Sequence, residues 1–267
     1  MRIGVFDSGF GGLTVLRALL DTVPQADYFY LGDSARLPYG SKSARTVAHY
    51  ASSSARFLVE QGAELLVIAC NSASAVALED IRAAVAVPVI GVIEPGAASA
   101  SAMSNTRRAC VIGTAATVNS HAYRAALEQF GMQVVEKACP LFVPLVEEGW
   151  TDHPVTEEVA RIYLAELFAD CERTWSGNGS PDVLVLGCTH YPLLTTLLRR
   201  VLPTSVTMVD SAHAVATQVA AMLATRAQDV SPQRKFYATD SLEKFQTLGA
   251  RFLGHRISDV QLVTLPE

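Results

Sequence analysis

The chain has 267 residues, half of them apolar and 18% charged, enough for one large hydrophobic core or two modest ones. Its formal net charge is -5 and its basic residues are scattered, which leaves no electrostatic footprint for nucleic acid or an anionic membrane. Five cysteines, without the dense spacing of a small secreted scaffold, fit a reducing compartment with free thiols.

Residues 3–6 form an apolar run that predicts a buried strand ending at Asp7. Ser8-Gly9-Phe10-Gly11-Gly12 then leads into an amphipathic stretch over 12–20. Counted from Gly9, the dinucleotide-binding pattern needs a third glycine where Thr14 stands, and the Gly-Lys-Ser/Thr of a phosphate loop is absent. Glycines opening a helix also bring N–H groups close to a small anion such as a carboxylate. Asp7 either serves such a site or caps the helix. The interruption by Asp7 and the glycines suits neither a signal peptide nor a membrane span, and no other apolar run reaches membrane length, so a cytoplasmic protein is expected.

A second strand is predicted over 28–31, followed by the turn Pro38-Tyr39-Gly40. That turn is either a plain reversal or a loop offering N–H groups and the Tyr39 hydroxyl to a ligand. A helix over 44–59 precedes a strand over 65–69, which ends in Cys70-Asn71-Ser72. Further strands are expected over 87–92 and 109–112, and a helix over 115–130, where Thr114 and Thr117 either cap the helix or hold a carboxylate. Glu147, in Pro144-Leu145-Val146-Glu147, is either a solvated surface acid or a partner for a general acid or base. A helix over 157–168, a strand over 183–186 ending in Cys188-Thr189-His190, a strand over 206–209 and a helix over 213–224 complete the pattern. Strands apolar on both faces, alternating with helices, predict an α/β fold with mainly parallel, doubly wound sheets. Ligand chemistry then collects beyond the carboxyl ends of the strands.

The chain also repeats itself weakly. Leu65-Leu-Val-Ile-Ala-Cys70-Asn71-Ser72 matches Val183-Leu-Val-Leu-Gly-Cys188-Thr189-His190 in order and chemistry, and Ile3 to Ser8 matches Cys110 to Thr114 more faintly. Two related α/β halves follow: residues 1–95 with 210–267, and 96–209. Both Cys70 and Cys188 sit where a strand gives way to a predicted helix, whose N-terminus favours the thiolate. Cys110, Cys139 and Cys171 lack this placement. On an extended segment His190 shares a face with Cys188 and can exchange a proton with it. With no second close Cys or His pair, no metal site is expected; His49, His121, His153, His213 and His255 have no such context.

Taken together, Asp7-Ser8-Gly9-Phe10-Gly11-Gly12-Leu13, Asp33 with Pro38-Tyr39-Gly40, Ala69-Cys70-Asn71-Ser72, Gly113-Thr114 with Thr117, Pro144 to Glu147, Gly187-Cys188-Thr189-His190-Tyr191-Pro192 and Asp210-Ser211 closely resemble the glutamate racemase family of the aspartate/glutamate racemase superfamily. The likeness runs nearly the whole chain. Ser72 stands where many members carry Thr, and Ala212 where Gly often follows Asp-Ser. The resemblance implies two pseudo-symmetric α/β domains with the active site in the cleft between them, glutamate as substrate, no cofactor, and two cysteines acting on opposite faces of Cα, with Cys70 taking the proton from D-glutamate. By position it implies Cys70 and Cys188 as the bases and Asp7, His190 and Glu147 as their proton-handling partners. Asp7, Ser8, Pro38, Tyr39, Gly40, Asn71, Ser72, Thr114, Thr117, Thr189 and His190 would hold the substrate. It further implies a homodimer that supplies D-glutamate for peptidoglycan; inhibition of DNA gyrase, known for some members, has no signal in these residues. Two other readings compete: an amide hydrolase with Cys188 as nucleophile and His190 as base, which leaves Cys70 idle, and an amino-acid binding module built from two lobes.

Overall fold

The computed structural model describes residues 1–176, 179–223 and 231–266. Ten strands are present among them: β1 (Arg2–Asp7), β2 (Asp27–Gly32), β3 (Leu65–Ile68), β4 (Val89–Gly91), β5 (Arg108–Gly113), β6 (Gln133–Ala138), β7 (Val183–Gly187), β8 (Thr207–Val209), β9 (Arg234–Ala238) and β10 (Val260–Leu262). They form two sheets, ordered β10-β9-β2-β1-β3-β4 and β6-β5-β7-β8. Every strand pairing is parallel. The α/β class with two parallel sheets is thus as the alternating pattern predicts. The first four strands of each half pair in one order, second-first-third-fourth, so the Cys70 and Cys188 segments leave corresponding strands.

Parallel strands are covered on both faces, and the burial shows why these runs are apolar throughout. Along β1, Ile3 and Val5 join one apolar cluster while Phe6 joins another on the opposite face; Tyr28 and Tyr30 alternate with Phe29 and Leu31 in the same way on β2. The first cluster also takes in Cys110, Ile112, Leu184 and Leu186, so a single apolar layer runs from one sheet to the other. Helix Leu13–Thr22 packs against helix Ala212–Met222 within it. Helix Ala44–Glu60 covers the other face of the first sheet, burying Val47, Ala51, Ala55 and Leu58 at helical spacing; the Ser43 side chain caps it by accepting from the Thr46 N–H.

Several boundaries differ from the sequence pattern. The stretch 115–130 is two helices, Ala115–Asn119 and Ala122–Glu128, because His121 turns into the left-handed region at φ 54°. The helix expected over 157–168 runs Pro154–Thr174, starting at a proline whose missing N–H costs nothing in the first turn. The strand expected over 87–92 shrinks to β4. The helix expected over 213–224 spans Ala212–Met222, and residue 224 lies outside the described residues. Strands β6, β9 and β10 and helix Leu242–Leu253 were not anticipated; β9 pairs with β2 from Tyr28↔Arg234 to Gly32↔Ala238, returning the chain to the first sheet.

Candidate active site

The carboxyl ends of six strands converge on one cavity of about 160 Å³, well below the roughly 300–1,000 Å³ of sites for drug-sized ligands. The loops after β1, β2 and β3 contribute Ser8, Pro38, Tyr39, Gly40, Cys70, Asn71 and Ser72. Those after β5, β6 and β7 contribute Thr114, Glu147, Cys188, Thr189 and His190. Both cysteines therefore face the same space from different sheets. Of the candidate residues, only Asp7 and Thr117 do not line it. Asp7 lies fully buried beneath the wall, and Thr117 stands behind Thr114, their hydroxyl oxygens 3.1 Å apart.

Cys70 follows β3 and caps helix Asn71–Val76, its sulfur accepting from the Ala73 N–H at 3.5 Å and donating to Ser8 Oγ at 3.5 Å. The helix start does favour a thiolate, but burial and the nearby Asp7 charge outweigh it and push the thiol up to about 12. Asp7 does not cap the first helix. Its Oδ2 accepts from the Gly9 N–H at 3.0 Å, its Oδ1 has no partner among the described residues, and burial raises its carboxyl above the usual range. Such a carboxyl is suited to exchange a proton with its surroundings.

Cys188 follows β7, yet the segment after it is not extended. His190 has φ -80° and ψ -30°, and a 3-10 turn over Tyr191–Leu194 comes next, not an α-helix. That turn still sets His190 Nδ1 3.9 Å from Cys188 Sγ. On its other side His190 Nε2 lies 3.3 Å from Glu147 Oε1, and Lys244 Nζ donates to Glu147 Oε2 at 3.1 Å. Burial lowers the affinity of His190 for its proton, but the hydrogen bonds to Cys188 and Glu147, with the charges of Cys188 and Asp7, reverse this and bring it to about 10. Glu147 is opposed in the same manner: burial raises it, and His190 and Lys244 together hold it below its ordinary value. Glu147 is thus a partner of His190 and not a free surface acid.

Hydroxyls meet between loops of the two sheets. Ser72 Oγ lies 2.9 Å from Thr114 Oγ1, which also caps its helix by accepting from the Thr117 N–H. The Tyr39 hydroxyl donates to Asp33 Oδ2, so its proton is held by that carboxylate while the residue still lines the cavity. Gly40 is required by close approach: a Cβ there would sit 2.6 Å from Thr114 Cβ. Other participants were not anticipated. Tyr123 donates to Asn71 Oδ1 at 2.7 Å and so turns the Asn71 amide; Phe252 sets its ring edge-on to His190 at 5.0 Å; and Pro140, Val143 and Pro144 form an apolar wall. Lys244 and Phe252 come from a helix far along the chain, and no local motif marks them. Cys110 and Cys171 face each other at 3.2 Å between β5 and helix Pro154–Thr174, away from the cavity.

A family model described as Asp/Glu/Hydantoin racemase matches residues 3–219. The chain belongs to that racemase family. It is 52% identical to a glutamate racemase of Koribacter versatilis, with 98% of this chain and 97% of the relative covered. The fold superposes on the glutamate racemase of Francisella tularensis, determined with D-glutamate, with a TM-score of 0.88 at 34% identity over 98% and 97% of the two chains. It likewise superposes on that of Escherichia coli, determined with L-glutamate and the activator UDP-MurNAc-ala, with a TM-score of 0.79 at 26% identity over 100% and 99%. The racemase resemblance read from the motifs is therefore supported along the entire chain, and among the described residues no helix is long and apolar enough to cross a membrane.

Proposed function

We propose that this enzyme interconverts L- and D-glutamate by a cofactor-independent two-base mechanism, with Cys70 and Cys188 on opposite faces of the substrate Cα. One observation carries the reading: two cysteines leave corresponding strands of two sheets and line one small cavity, each beside its own proton-handling groups. An amide hydrolase needs only Cys188 and His190; the Cys70, Ser8 and Asp7 cluster would then have no task.

The α-hydrogen of an amino acid is a very weak acid, so the site must hold a base against Cα and stabilise the carbanion as it forms. N–H groups of the Pro38-Tyr39-Gly40 loop, the Asn71 amide and the Ser72 and Thr114 hydroxyls are the donors available to the substrate carboxylates. One thiolate removes the proton, and the opposite thiol returns one to the other face. Each turnover therefore leaves the two sulfurs in exchanged protonation states. Burial and the Asp7 charge push the Cys70 thiol up, and His190 Nδ1 lies 3.9 Å from Cys188 Sγ.

The same reading takes residues 1–95 with 210–267 and residues 96–209 as the two domains, an arrangement that the membership of the two sheets supports. It takes the biological product as D-glutamate for peptidoglycan, made in the cytoplasm by a homodimer. Incubation with either glutamate enantiomer in heavy water tests the chemistry. Racemisation with deuterium incorporated at Cα is expected, and Cys70→Ala and Cys188→Ala are each expected to abolish it. Full activity in either variant, or ammonia released from glutamine without exchange at Cα, would overturn the assignment.

A further inference from the structure

The Cys188 arm does not end at Glu147. Helix Leu242–Leu253, which follows β9 of the first sheet, reaches over to the loop after β6 of the second. Lys244 on this helix donates from Nζ to Glu147 Oε2 at 3.1 Å while the other oxygen, Oε1, faces His190 at 3.3 Å. The same ammonium lies 5.5 Å from the centroid of the Phe10 ring, in the turn that follows Asp7. Arg251, two helical turns further on, donates to the Glu147 carbonyl oxygen at 3.4 Å, and Phe252 packs its ring edge against His190.

We propose that Lys244 is a positioning residue for the reaction, holding the Glu147 carboxylate charged and turned toward His190, and doing so from the other sheet. The chain of contacts from Lys244 through Glu147 and His190 to Cys188 is then complete only while the two halves are closed on each other. A carboxylate that orients an imidazole fixes which nitrogen faces the reacting atom. Without a second anchor the Glu147 side chain has other rotamers open to it, because its side chain is 17% exposed at the cavity rim. The electrostatics agree: burial raises the Glu147 carboxyl, and His190 and Lys244 together overcome it. The charged and titratable groups around this arm are Lys244, Arg251 at the Glu147 main chain, His190, Cys188 and Asp7.

The inference rests on the two-base reading, because it acts through Cys188. Its test compares Lys244→Met and Lys244→Arg with the wild-type enzyme, recording kcat and KM in both directions across pH, with Cys188→Ala assayed alongside. Lys244 is half exposed, so the pair is partly screened, and Lys244→Met should lower kcat about two- to fivefold at neutral pH with KM little changed. The acid limb of the profile should move to higher pH, since Glu147 takes up its proton more readily without the ammonium. Enantiomers have equal free energies, so kcat/KM must fall by one factor in the two directions. Lys244→Arg should restore both rate and limb, and raised salt should move the wild-type limb toward that of Lys244→Met. An unshifted limb with unchanged kcat in Lys244→Met, or a Lys244→Arg variant as impaired as Lys244→Met, overturns the role of Lys244 while an inactive Cys188→Ala keeps the two-base reading. An active Cys188→Ala overturns that reading whatever Lys244 does. Matching thermal melts of the variants show that rate changes do not arise from unfolding.

Discussion

Gly11 offers the sharpest test of how tightly the Cys188 arm is held. Its Cα packs so closely on the loop after β7 that a Cβ built there would lie 2.2 Å from Thr189 Oγ1, 2.6 Å from His190 Nδ1 and 2.8 Å from His190 Cε1. Ordinary contact begins at 3.4 Å. Gly11→Ala therefore forces the imidazole and the threonine hydroxyl back by about 1 Å, and the backbone carrying Gly11 cannot yield freely, because the Leu13 and Thr14 N–H groups bond to the Phe10 and Gly11 carbonyls. His190 Nδ1 is already 3.9 Å from Cys188 Sγ, so retreat breaks that contact. A displacement of about 1 Å in a proton-transfer group costs on the order of 10²-fold in rate. The overpacking should also cost about 1–3 kcal/mol of stability. Racemisation followed by the change in circular dichroism of glutamate gives kcat, and urea unfolding gives stability. Gly131→Ala is the control: Gly131 has φ 71° and nothing within 4 Å of a new Cβ, so it should lose about 1 kcal/mol of stability and keep its kcat. A Gly11→Ala enzyme with kcat within twofold of wild type would refute the idea that His190 must stay where it is.

Two further predictions concern charge. The folded-state value of His190 is raised from 6.5 to about 10, so its contribution to stability is complete below about pH 6.5 and is lost as pH rises through 10. The stability gap between wild type and His190→Gln, measured by urea unfolding, should accordingly be larger at pH 6 than at pH 10; an equal gap would contradict it. Asp7 is raised by burial, so the folded protein binds its proton more tightly than the unfolded chain does, and ionisation opposes folding as pH rises. Asp7→Asn should gain stability at pH 7 relative to acid conditions while losing most of its racemase activity, the trade expected at a strained functional site; a variant that is both fully active and no more stable would refute this.

Much of the site was legible in the sequence because its residues stand next to the ends of apolar strands. In a parallel sheet the residue after a buried run is carried to the ligand edge by the run itself. Asp7, Cys70, Thr114 and Cys188 could each be located this way from local pattern alone. The strands that were missed have weaker local signals: β6 reads Gln-Val-Val-Glu-Lys-Ala, β9 opens with Arg-Lys, and β10 is three residues at a sheet edge with its middle and last residues exposed. Their apolar face is too short or too interrupted to register as a period, and they are held in place by neighbouring strands.

Sequence by itself determined the α/β class, the parallel strands and the pairing of the two cysteine segments, since all three follow from hydrophobic period and repeated local order. Tertiary structure decided the electrostatics. Cys70 stands at a helix start as expected, yet its thiol is pushed up by burial and by Asp7, which no local pattern measures. Glu147 became a partner of His190, and Lys244 a partner of Glu147, only when residues 43 and 97 positions apart met across the fold. Burial and charge act through space, so the protonation state of this site belongs to the packed molecule and not to any one of its motifs.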